Sequence, residues 1–168
     1  ISTLLVALIW RRFLGDRAAI GAALLWCLMP GHVGSIAWGV GRVDSHTTVW
    51  CLLAIFLCLR ANDRRAMGNG DKRWPMVIAT LFALMSKELA FVVAPLCTWL
   101  SIIQSNGPTI AVRVHDAFRA TWPIWLLFAL YLLFRLVVLG TFGGYTASSY
   151  EPQAMIAGIG TILLDLLV

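Results

Sequence analysis

Two short stretches of the chain place opposite charges close together inside apolar sequence: Arg42 and Asp44 in "GRVDSHTTVW", and Lys87 and Glu88 in "ALMSKELAF". Arg135, in "LYLLFRLVVLG", lies five residues inside Gly140 and must reach water, a carboxylate or an anionic ligand. A charge at the centre of a membrane span costs about 2.5–3.5 kcal/mol on insertion scales, so such residues mark a pathway, a ligand or a pairing requirement. Structural readings stand beside the functional ones. Asp44 suits the first turn of a helix, where a carboxylate meets the positive end of the dipole, with Arg42 as its local partner. Lys87 and Glu88 read equally as a solvated hinge with snorkelling side chains. His32, in "MPGHVGSIAW", stands alone without partners at metal-ligand spacing, and His46 and His115 carry less information still. No cofactor is evident, and the sequence leaves a divalent metal open.

These charges belong to a chain of 168 residues that is 60% hydrophobic and 12% charged, with mean hydropathy +0.84. Soluble domains sit near half apolar and a quarter charged. A surplus of this kind cannot be hidden in a core of this size, so lipid is the natural solvent. The fold class read from it is all-α, a polytopic transmembrane helix bundle of about seven hydrophobic segments: 1–10, 18–29, 43–59, 74–86, 89–103, 122–139 and 155–168. Helices are required because no alternating barrel pattern is present to satisfy the backbone in hydrocarbon. No signal peptide is visible, and the first and last runs both read as cut. Residues 1–168 are therefore expected to be a fragment, part of one transmembrane domain with no soluble domain. Cys27, Cys51, Cys58 and Cys97 all lie in apolar stretches and read as small packing side chains.

The net charge of +5 is a topology signal rather than a nucleic-acid signal. Ten of the 13 Lys and Arg fall in three joints: Arg11, Arg12 and Arg17; Arg60, Arg64, Arg65, Lys72 and Arg73; Arg113 and Arg119. Cytoplasmic loops collect such residues, so all three joints are placed inside. The joints 30–42, 86–88 and 140–153 are then outside, and with them Arg42, Asp44, Lys87, Glu88, Arg135, Glu151 and Asp165 lie at or just within outer helix ends. The run 74–103 could form one helix, but a single crossing would carry Arg113 and Arg119 outside. Two arms hinged at Ser86, Lys87 and Glu88 are preferred, with Pro95 kinking or loosening the second. "ANDRRAMGNGDKRW" reads as a solvated loop. Trp10, Trp38, Trp74, Trp99 and Trp122 suit an interfacial aromatic belt.

"MPGHVGSIAWGVGRVDS" followed by "ALMSKELAFVVAPL" resembles the polytopic membrane glycosyltransferases of the GT-C superfamily. The resemblance is to the protein O-mannosyltransferase-like members, including relatives of the tetratricopeptide-repeat-associated membrane O-mannosyltransferases. Their pattern is approximately H-P-x-H-x-E-A-V-A-W-x-x-G-R-x-D, then S-K-E at the next outer joint. Pro30, His32, Ala37, Trp38, Gly41, Arg42 and Asp44 match the first block, and Ser86, Lys87 and Glu88 the second. A third block, "FRLVVLGTFGGY" at 134–145, is similar to the bacterial members. Two positions depart from the pattern: Met29 replaces the leading His and Gly34 the Glu.

The resemblance implies transfer of a sugar, a mannose-like hexose, from a polyprenyl-phosphate donor to a protein or glycan acceptor on the extracytoplasmic side. It implies donor-phosphate binding by Lys87, Arg42 and Arg135, supported by Asp44, Glu88 and His32. The general base is expected in an outer loop upstream of Ile1. The partners implied are the lipid-linked sugar, the acceptor and the bilayer, with no nucleic acid. The implied location is a multi-pass position in the cell (inner) membrane, or the endoplasmic reticulum membrane in a eukaryote. A transporter or channel module with an outer-side anion site is the alternative, and it predicts charges spread through the depth of the bundle.

Overall fold

A computed structural model describes residues 1–29, 42–68 and 73–139 of the chain. Among these residues all regular structure is helical: α1 (Ser2–Leu28), α2 (Arg42–Ala66), α3 (Trp74–Ser86), a 3-10 turn (Glu88–Val92), α4 (Val93–Gln104) and α5 (Ile110–Leu139). The chain divides into two compact units, Ile1–Tyr131 and Leu132–Val168. The described part of the second is the end of α5, where Arg135 is buried.

Sequence breaks account for the helix ends. α1 is interrupted at Gly15, whose backbone (φ 78°, ψ 175°) lies where only glycine is comfortable. The interruption falls in the joint of Arg11, Arg12 and Arg17, so the two apolar runs on either side form separate helical arms. α2 opens with Asp44 in its first turn and closes with Arg64 and Arg65 in its last, both signs suited to the helix dipole. It runs on through Ala61–Ala66, where a loop is expected from the sequence. The extension is held from outside: Asn62 donates to Ser101 Oγ (2.9 Å) and to Gln104 Oε1 (3.1 Å), and Asp63 pairs with Arg12. α5 likewise begins at Ile110, so Arg113 and Arg119 sit on its first turns rather than in a loop.

The apolar run from Trp74 is broken at Lys87, whose backbone is extended (φ −161°, ψ 145°) between α3 and the 3-10 turn. Pro95 falls in the first turn of α4, where its missing N–H removes no intrahelical bond. The winding therefore changes before the proline instead of kinking at it.

Contacts along the helices fix their relative directions. α3 runs antiparallel to α2, with Phe82 stacked on Trp50 (ring centroids 4.8 Å apart) and Lys87 reaching Asp44. α4 runs parallel to α2, its Cys97 and Ser101 beside Cys58 and its Gln104 beside Asn62. α5 returns antiparallel to α4: Thr121 and Trp125 bond Thr98, while Phe128 and Tyr131 pack edge-on to Phe91. The four helices alternate in direction between two ends of a bundle.

The seams are built from small residues. Ala54, Cys58, Ala79, Ala83, Ala90, Ala94 and Cys97 are all buried, which lets backbones approach closely. One cluster joins α2, α3, α4 and α5 through Leu59, Met76, Val93 and Ile124; a second, of Ala83, Leu84 and Ala90, lies towards Lys87. Two helices, Val43–Ala66 and Ile110–Val138, are long and apolar enough to cross a membrane. Of their apolar windows 28% and 11% are buried, and α5 carries the larger bare apolar surface, with Leu126, Leu130, Leu133 and Phe134 exposed. α3 and the segment Glu88–Gln104 are apolar but shorter.

Candidate functional site

At one end of the bundle the two charged motifs meet. Lys87 is carried by the extended joint after α3, so its side chain projects from a turn rather than from a helix face. Asp44 sits one turn into α2, and Lys87 Nζ donates to its Oδ1 across 43 positions of sequence. Sequence neighbours suggest Arg42 for Asp44 and Glu88 for Lys87; the partner found for Asp44 comes from the other motif. The hydroxyls of Thr47 and Thr48 turn back to the carbonyls of Val43 and Asp44 (both 2.8 Å), so neither competes for the carboxylate.

The pair is half-open, with Lys87 37% and Asp44 44% exposed. Exposed ion pairs contribute about 0–1 kcal/mol, so the contact matters for where it holds the ammonium more than for folding. An ammonium has three N–H donors and Asp44 Oδ1 takes one, which fixes the charge in place while leaving it able to meet a further anion. Glu88, the next residue, opens the 3-10 turn and is partly buried. Trp50 and Phe82, stacked below, and the buried Ala83, Leu84 and Ala90 give the site an apolar floor.

Of the other candidates, Arg42 opens α2, which brings its backbone to the same end as Asp44. Arg135 is buried, on the part of α5 that belongs to the second unit. His32, Glu151 and Asp165 lie outside the described residues. Among the described residues, no three His, Cys, Asp or Glu side chains gather where they could hold a metal.

The opposite end is built differently, and sequence reasoning singled out none of its uncharged members. The amide of Asn62 bridges Ser101 and Gln104, and Arg73 Nη1 donates to the carbonyl of Arg119 (2.6 Å), tying the start of α3 to α5. Here too Arg12 of α1 meets Asp63 of α2, both mostly covered. Burial, and then the nearby Arg60, lower the affinity of the Arg12 guanidinium for its proton. The available signal was position: Ser101 and Gln104 interrupt the apolar end of α4, and Asn62 is an uncharged polar residue in the charged last turns of α2.

A scan against protein-family models and searches among characterised proteins and solved structures find no match to this chain.

Proposed function

We propose that this chain is part of a multi-pass membrane glycosyltransferase that moves a mannose-like hexose from a polyprenyl-phosphate donor to a protein or glycan acceptor on the extracytoplasmic side. The observation that carries the reading is the Lys87–Asp44 pair, which unites the two motif blocks of the resemblance at one end of the bundle. The bundle of about seven spans belongs to the same proposal, and the two long, uncovered apolar helices favour it.

In this reaction the acceptor hydroxyl oxygen attacks the anomeric carbon, and the bond from that carbon to the phosphate oxygen breaks. The electron pair leaves with the lipid phosphate, so charge grows on the phosphate in the transition state. A fixed cation in a partly dry site stabilises that charge without reorganising. Lys87 supplies it as a point charge and Arg42 as a guanidinium able to fork onto two phosphate oxygens, while Asp44 and Glu88 orient these cations or bind sugar hydroxyls. The acceptor proton passes to a general base within hydrogen-bond reach of that hydroxyl.

The test is the full-length protein in nanodiscs with a polyprenyl-phosphate hexose donor. Lys87→Ala should lower transfer about 100-fold or more, the effect of removing one preorganised charge donor. Asp16→Asn, at the exposed Arg11–Asp16 pair of α1, serves as the control that keeps activity. Undiminished transfer by Lys87→Ala would overturn the phosphate role.

A further inference from the structure

We propose that the arginine-rich end of the bundle holds a second anion site, a cavity that takes the phosphate of an anionic phospholipid. The cavity measures about 710 Å³ and is walled by α2, α4 and α5 together with Arg73, the residue before α3. Arg65, Arg73 and Arg119 line it from three separate elements, with Asp116 among them. Asn62, Ser101 and Gln104 line the same space, and their mutual hydrogen bonds give it a fixed polar wall. The bond from the Arg73 side chain to the Arg119 carbonyl joins two sides of the opening. Cations gathered round a concavity with low-dielectric walls focus the field on an anion, and guanidiniums match phosphate oxygens two at a time.

The surroundings of the cavity point to a lipid as the source of the phosphate. Trp74, next to Arg73, is 76% exposed, and Phe118 and Trp122, on either side of Arg119, are 48% and 53% exposed. A soluble anion makes no use of bare aromatic surface at the rim. A phospholipid uses both regions, with its headgroup in the cavity and its acyl chains along the uncovered apolar faces of α3 and α5. Basic pockets between membrane helices at the Lys- and Arg-rich side bind anionic headgroups in this way. The inference is independent of the transferase reading and uses the other end of the bundle.

The test measures binding to the full-length protein in zwitterionic detergent, by native mass spectrometry and by thermal shift. The probes are phosphatidylglycerol, phosphatidylcholine and soluble glycerol 1-phosphate. Phosphatidylglycerol should be retained and raise Tm; phosphatidylcholine should not; glycerol 1-phosphate should bind at least 100-fold more weakly than the anionic lipid. Arg65→Gln or Arg119→Gln should each weaken phosphatidylglycerol about tenfold, the usual size of one lost charge-assisted contact. Should either variant lose helix by circular dichroism, Arg65→Lys with Arg119→Lys keeps the charge, removes the fork and should bind with intermediate affinity. Equal retention of phosphatidylglycerol by wild type and by a folded Arg65→Gln or Arg119→Gln variant, or by the Lys variants where the Gln variants do not fold, overturns the site. Equal affinity for glycerol 1-phosphate and the lipid overturns the lipid assignment.

Discussion

The two ends of the α2–α5 bundle use charge in opposite ways. At the Asp44 end one cation meets one anion above a floor of aromatic and small apolar side chains. At the Asn62 end arginines crowd together, and neutral amides and hydroxyls hold the helices in register. The first arrangement contributes little to stability but holds a charge at a fixed place. The second ties α2 to α4 through Asn62, α1 to α2 through Arg12 and Asp63, and the start of α3 to α5 through Arg73. An isolated ion pair at a helix joint is therefore the better candidate for chemistry, and the polar network the better candidate for architecture.

This contrast can be broken most severely in the packed layer that both ends share. Leu59→Ala and Leu84→Ala, each at a nearly fully buried position, should destabilise by about 2–5 kcal/mol in denaturant titrations. Leu84→Ala, in the cluster towards Lys87, should also impair transfer, while Leu59→Ala should leave the rate of the folded fraction near normal. Asn62→Ala at the architectural end should cost about 1–3 kcal/mol, because Ser101 and Gln104 lose their shared donor in a partly buried setting. Lys87→Met at the other end should shift stability by less than about 1 kcal/mol while transfer collapses; a large loss of stability would make the pair structural and erase the distinction. Thr98→Val, midway between the ends, should cost about 1 kcal/mol by stranding Trp125 Nε1, while the Thr121 hydroxyl keeps its bond to the Ala117 carbonyl. The smallest effect belongs to Asp16→Asn, whose exposed pair with Arg11 should change stability by no more than about 0.5 kcal/mol.

Much of this frame is legible in the sequence. Ser86, Lys87 and Glu88 interrupt a long apolar run, and the chain turns back there, so one local cue is enough to divide α3 from the segment after it. Gly15 among arginines marks the break in α1 for the same reason. The continuation of α2 through Asn62 and Asp63 is less legible, because its polar last turns are held by Arg12, Ser101 and Gln104, residues distant in sequence. The Lys87–Asp44 pairing lies deeper still. Arg42 and Glu88 are chemically adequate neighbours for either residue, and only closure of α3 onto α2 selects the pair that forms. The cavity carries no motif at all, since its walls come from four short stretches that become neighbours when the helices assemble.

The tighter winding of Glu88–Val92 has a consequence for reach. Twelve residues of α4 extend about 18 Å at ~1.5 Å per residue. Five residues in 3-10 form add about 10 Å at ~2.0 Å each, against about 7.5 Å had they been α-helical. The combined segment measures about 28 Å, close to the ~30 Å hydrocarbon thickness of a bilayer. By stretching the first turns of an otherwise short arm, the chain gains a crossing length without spending additional residues, and sets the joint bearing Lys87 about 2.5 Å further from the opposite end.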